Sequence, residues 1–184
     1  ALQLDPQRSD VYFNIGNLLK ENQPDQAIPY YEKSLALDAS GAGVWHNYGL
    51  ALNEAGQYLK AAQALKTSLR LGPSDADAWC NLGLAFFGLE QFEKAKQCFR
   101  HAIALDGQHA TSHVNFGQVL VETLEPEKAL EHLRRGLALD SSSSNSLWNL
   151  SLALLLLGHY QEGWRYYEAR FATKQFESQL EPTP

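Results

Sequence analysis

The sequence predicts an all-α fold of antiparallel helix pairs. Three observations carry that reading: segments recurring every 33 or 34 residues, apolar residues at helical spacing within each segment, and no run with the alternation of a strand. Gly49, Gly83 and Gly117 are spaced by 34, Ser151 follows after another 34, and Gly16 precedes Gly49 by 33. Ala27, Ala61, Ala95, Ala129 and Gly163 form a second ladder, and Tyr31, Leu65, Phe99, Leu133 and Tyr167 a third. A fourth closes the segments with "LALD" (Leu35 to Asp38), "LRLG" (Leu69 to Gly72), "IALD" (Ile103 to Asp106) and "LALD" (Leu137 to Asp140). Four ladders in register are not a product of chance.

Each segment reads as two helices. In the third, Trp79, Leu82, Gly83 and Phe86 mark one apolar face, "GLEQ" makes the turn, and Phe92, Ala95, Phe99, Ala102 and Ile103 mark the second helix. Gly83 and Ala95 let two backbones approach closely, while Trp79 and Phe99 fill the space beside them. Gly56 and Gly158 fall in turns, where a residue free to take positive φ ends a helix. Pro73 breaks the chain between segments. The first segment is one residue short near Gln23, and Pro29 sits early in its second helix, at some cost in stability. The expected repeats are 9–41, 42–75, 76–109, 110–143 and 144–171, with a tail of a preceding partial repeat at 1–8 and an extension or linker at 172–184. "ALQLDP" matches the closing stretch of a repeat, so the chain reads as a fragment of a longer protein. Tyr12, Leu18 and Leu19 are then expected to be partly bare, with self-association through that end.

Composition narrows the function. The 184 residues carry a net charge of −6, with 45% apolar and 20% charged residues. That balance argues against nucleic acid or an anionic membrane as main partner, since both need a basic footprint. The longest apolar run, Leu147 to Leu157, is interrupted by Asn149 and Ser151 and is too short for a bilayer. Cys80 and Cys98 form no framework or metal motif, and reduced thiols suit a cytoplasmic setting. His109 and His113 have the spacing of a metal pair but no third ligand, and His113 falls at the core aromatic position; no metal or cofactor is expected. "GAGVWH" lacks the third glycine and the strand of a dinucleotide loop. Nucleophile, base and orienting group recur in no pattern, so the fragment is read as non-catalytic.

The ladders resemble the tetratricopeptide repeat, W-x2-L-G-x2-Y then A-x3-F then A and P. Trp79, Leu82, Gly83, Phe86, Ala95, Phe99 and Ala102 carry the resemblance in the third repeat, and Trp45, Tyr48, Gly49 and Ala61 in the second. It covers about residues 9 to 171; His113, Ser151 and Gly163 depart from the pattern. The resemblance implies a right-handed superhelical solenoid whose first helices line a concave groove.

An asparagine stands near the start of each first helix: Asn14, Asn47, Asn81, Asn115 and Asn149. The resemblance places these along the groove, like the asparagine ladder of O-linked N-acetylglucosamine transferases. An amide offers donors and an acceptor together, so it can bind an extended peptide backbone without reading side chains. It can equally bond a neighbouring helix, and the sequence leaves both readings open. Phe13, Asn17, His46, Leu50, Asp77, Cys80, Leu84, Val114 and Gln118 are expected to line the groove beside them. Tetratricopeptide co-chaperones grip a chaperone's terminal carboxylate with Lys and Arg. Here Lys20 is the one base, against Asp10, Glu54, Asp77 and Glu122, so a neutral to basic segment fits better.

In the fifth repeat Trp148, Leu152, Leu155 and Leu156 make the groove end apolar, for docking of the tail or of a following domain. Gly163, Trp164, Tyr167, Glu168 and Phe171 resemble the last repeat of bacterial tetratricopeptide proteins that continue into a glycosyltransferase-like domain. Three functions follow as expectations: an interaction scaffold binding an extended peptide, a substrate-recruiting arm of a glycosyltransferase, and a self-assembly module.

Overall fold

The computed structural model describes residues 8–168, Ser142 excepted. Ten α-helices run through them: α1 (Ser9–Leu19), α2 (Pro24–Leu37), α3 (Ala42–Glu54), α4 (Tyr58–Leu71), α5 (Ala76–Gly88), α6 (Phe92–Leu105), α7 (Ala110–Glu122), α8 (Pro126–Leu139), α9 (Ser144–Leu156) and α10 (Tyr160–Tyr167). No strand occurs among the described residues. The expected tail at 1–8, apart from Arg8, lies outside them, as do Phe171 and the extension at 172–184.

The chain divides into two compact units, Ala1–Leu105 and Asp106–Pro184. In the first, each helix from α1 to α6 packs on the next, and α3 also meets α5. In the second, α7, α8, α9 and α10 pack in succession, and α7 also meets α9.

Within a pair the helices are held close by a glycine facing a large side chain. A Cβ on Gly49 would lie 2.5 Å from Leu65 Cγ, and one on Gly83 would lie 2.5 Å from Phe99 Cε1. Leu65 and Phe99 are fully buried, as is Tyr31, which stands against Gly16. A polar strut fixes the other end of two pairs. The Ser34 hydroxyl donates to the Ser9 carbonyl at 2.8 Å, and the Ser68 hydroxyl to the Ala42 carbonyl at 2.9 Å.

Four of the five turns between paired helices share one geometry. Gly56, Glu90, Leu124 and Gly158, 34 residues apart, all take positive φ, between 56° and 78°. The next amide then reaches back to the helix it has just left, as in Gln57 N–H to Leu52 O at 2.8 Å and Gln91 N–H to Phe86 O at 2.9 Å. The first turn, in the short repeat, has no such residue, and α1 is two residues shorter than α3. Helix α2 continues through Pro29, which is exposed and carries no N–H for the Asp25 carbonyl. Leu18 is 81% exposed, while Tyr12 and Leu19 are half-buried.

The close contact predicts an asymmetry between two glycines. Gly83→Ala forces Cβ into the Phe99 ring and should lower stability by about 1–3 kcal/mol. Gly43→Ala, with nothing within 4 Å of the added Cβ among the described residues, should be neutral or stabilise by up to about 1 kcal/mol. Urea midpoints at constant slope test this; equal effects of the two substitutions would contradict it.

Candidate functional site

Helix geometry decides which side chains leave the pair. With about 100° per residue, the position two before the glycine lies some 160° from it, and the following position about 100°. The position three before the glycine lies only about 60° away, still towards the second helix. Asn14, Asn47, Asn81 and Asn115 hold the outward position; Asn17, Leu50, Leu84 and Gln118 hold the flanking one. Those four flanking residues are half-buried, and Asp77 is exposed.

In the first unit the outward positions of α1, α3 and α5 form a polar line. The Asn47 amide donates to Asn17 Oδ1 at 2.8 Å, and the same oxygen accepts the Tyr31 hydroxyl at 2.9 Å. The Asn81 amide contacts His46 Nε2 at 3.0 Å. An amide nitrogen only donates, so Nε2 accepts and the proton sits on Nδ1, which donates to Asp75 Oδ2 at 3.1 Å. Asp75 is also the N-cap of α5, its Oδ1 accepting the Ala78 N–H at 3.0 Å. Asn53 adds a bond to the Asn81 carbonyl at 2.9 Å.

These amides therefore tie the first helix of one pair to that of the next. Each bond uses a donor and leaves the Asn47 and Asn81 side-chain oxygens without a partner among the described residues. Asn14 is exposed and has no side-chain partner there. Around the line, Arg8 pairs with Asp10 and holds its carboxyl below the usual range. Burial pushes the Glu54 carboxyl up, with Lys20 opposing and Glu21 adding.

Several expected site residues lie elsewhere. Cys80 and Val114 do not line an open groove: Cys80 is 2% exposed, and Val114 is buried where a Cβ on Gly136 of α8 would meet it at 2.7 Å. Both hold the position three before the glycine, which explains the error; Phe13 and His46 share it and are half-buried. Phe13 accordingly packs on Tyr31, with ring centroids 6.2 Å apart. Cys80 and Cys98 are both buried thiols outside any disulfide among the described residues, and burial pushes Cys98 up to about 12.

In the second unit Asn149 is buried, and its amide donates to the Asn145 carbonyl of its own helix at 3.0 Å. Trp148 packs on Tyr167 of α10, centroids 5.2 Å apart, and Leu155 occupies the space above Gly163. Trp148 and Leu155 thus meet α10, while Leu152 is half-buried and Leu156 is exposed. Small residues have exchanged places here: Ser151 stands for the glycine of the first helix, and Gly163 for the alanine of the second.

His113 takes over the role of a tryptophan. The Trp45 and Trp79 indoles donate to the carbonyls of Ala39 and Pro73 at 2.9 and 3.0 Å, and His113 Nε2 lies 3.4 Å from the matching carbonyl of Gly107. Its Nδ1 is 3.1 Å from His132 Nδ1, so one of the two rings must be neutral to accept. His109 instead caps α7, accepting the Ser112 N–H. No group of three metal-ligating side chains occurs among the described residues.

A family model of the tetratricopeptide repeat matches residues 76–109, another matches 9–40, and a TPR repeat model matches 49–90. The chain belongs to the tetratricopeptide repeat superfamily. Solved structures agree in fold. A crystal structure of MamA is similar with a TM-score of 0.73 at 22% identity, over 96% of this chain and 97% of that one. A thermophilic TPR protein of Thermus thermophilus gives 0.78 at 18% identity, over 94% and 95%. YrrB, described as a TPR protein with an unusual peptide-binding site, gives 0.67 at 20% identity, over 96% and 94%. At these identities the likeness concerns the solenoid fold alone. No curated protein sequence matches the chain. No helix among the described residues is long and apolar enough to cross a membrane.

The burial of His113 gives a pH prediction. Burial is the main cause that pushes its pKa below the ordinary value, with the Arg135 and His109 charges adding and the Gly107 carbonyl and Glu131 opposing. The unfolded chain then binds a proton the folded one refuses. Stability should fall as pH drops below about 6.5 and level off below the folded pKa. Replacing the ring by the family's aromatic, His113→Phe, should flatten that part of the profile; an unchanged acid slope would contradict it.

Proposed function

We propose that the chain is a non-catalytic interaction scaffold that holds an extended, neutral to basic peptide along α1, α3 and α5 of its first unit. The tetratricopeptide fold is consistent with protein–protein interaction. The observation that carries the reading is the hydrogen-bond line from Asn17 through Asn47 and from His46 to Asn81. It orients each amide in advance and leaves one strong acceptor per rung for a ligand N–H, so little side-chain entropy remains to be lost on binding. Asn14, with no side-chain partner among the described residues, offers both donors and acceptor.

Spacing supports the same reading. Packed helices lie about 8–10 Å apart and an extended chain advances about 3.3 Å per residue, so one rung serves about three ligand residues. The nearby carboxylates Glu54 and Asp77 favour a ligand without excess negative charge. Asn149 is left out of this reading because its donor is used within α9.

Asn14 and Asn47 separate binding from folding. Peptides selected from a displayed random library should bind Asn14→Ala roughly 3- to 10-fold more weakly, as for loss of one or two net hydrogen bonds, at an unchanged urea midpoint. Asn47→Ala should lose binding and about 1 kcal/mol of stability together. Undiminished affinity in Asn14→Ala would mean that the asparagines serve the fold alone.

A further inference from the structure

The first unit carries two clefts at equivalent places, one repeat apart, away from the asparagine line. One, of about 580 Å³, is lined by residues that include Glu32, Ala36, Trp45, Tyr48, Lys60 and Thr67. The other, of about 550 Å³, has Lys66, Arg70, Trp79, Leu82, Lys94 and His101 at the positions 34 residues on. Shape is common to both; charge is not.

In the first cleft Glu32 accepts the Tyr48 hydroxyl at 2.9 Å; burial, reinforced by this bond and the Glu32 charge, pushes that phenol up to about 12. Glu32 and Lys60 there are formally balanced. In the second cleft the glutamate has become Lys66 and the alanine Arg70, while a lysine is kept as Lys94. Lys66 and Lys94 converge on one ring, their Nζ atoms 5.2 and 5.5 Å from the Phe86 centroid. Lys94 also donates to Gln91 Oε1 at 2.7 Å, and none of Lys66, Arg70 and Lys94 forms an ion pair among the described residues. His101 stacks on Trp79 with centroids 4.7 Å apart.

This concentration of cations runs against the whole chain, in which 21 acidic residues outnumber 15 basic ones. Like charges gathered around one cleft repel each other in the free protein, and a bound carboxylate relieves that repulsion. The floor beneath them is apolar: Leu69, Leu82, Phe86 and Cys98 are buried. The volume lies within the range of pockets that hold small ligands or a few side chains.

We infer that this cleft is a second binding site, for an acidic peptide segment of a partner protein that carries apolar side chains between its carboxylates. Its charge preference is opposite to that of the asparagine line, so one chain would hold two segments of different character at once. An inorganic anion satisfies the cations but leaves the apolar floor uncovered, which is why the peptide is favoured.

The test uses the full chain and a short fluorescein-labelled peptide alternating Glu with Phe and Leu. The double variant Lys66→Glu with Arg70→Ala restores the residues that the preceding repeat carries at those positions, so the sequence itself shows them compatible with the fold. Binding followed by anisotropy should weaken roughly tenfold or more in that variant, while Asn14→Ala leaves it unchanged. The Trp79 indole N–H resonance should shift on titration, and raised salt should weaken the complex. Equal affinity in the double variant, equal binding of a peptide with Gln for Glu, or displacement of the peptide by inorganic phosphate at constant ionic strength would each overturn the proposal. Loss of acidic-peptide binding in Asn14→Ala would overturn it too, by placing that peptide on the other face.

Discussion

The first four helix pairs hang on the contact between a glycine of the first helix and one large side chain of the second. Tyr31, Leu65, Phe99 and Leu133 sit where a Cβ on Gly16, Gly49, Gly83 and Gly117 would be, within 2.5–2.7 Å. The pair can neither separate without opening a cavity nor rotate without a clash. Because the contact fixes the rotation of the first helix, it also fixes which positions point away from the second. A residue two before the glycine is turned outward whatever its chemistry, and this sequence places asparagine there each time. Packing thus settles the direction of the amides before any ligand is considered.

The last pair shows what happens when that contact changes. Ser151 replaces the glycine and turns its hydroxyl back to the Trp148 carbonyl at 2.8 Å. The space opens instead on α10 at Gly163, where Leu155 enters, and Tyr167 lies against Trp148. With the pair packed through different residues, Asn149 bonds within its own helix. The same residue at the same repeat position therefore carries a different role.

The helix pairs were legible in the sequence because four independent ladders repeat in register, and the positive φ at Gly56 and Gly158 followed from residue type. Glu90 and Leu124 adopt the same backbone conformation without being glycine, so only the repeat spacing could have revealed them. Cys80 and Val114, expected in the groove, are buried: one residue of helix moves a side chain by about 100°, enough to carry it from groove to core. The bonds from Asn47 to Asn17 and from Asn81 to His46 join residues 30 and 35 positions apart. No local pattern encodes such pairs. The charge change from Glu32 to Lys66, by contrast, stands in the sequence once the repeats are aligned, and gains meaning only with the cleft between them.

The account joins a fixed helix spacing to a ligand read through its backbone, and that link can be measured directly. A selected peptide would be resynthesised with one backbone N–H at a time replaced by an ester oxygen, keeping every side chain. Affinity should fall at about every third residue, in step with the spacing of α1, α3 and α5. An even response along the peptide, or a response only to side-chain changes, would contradict it.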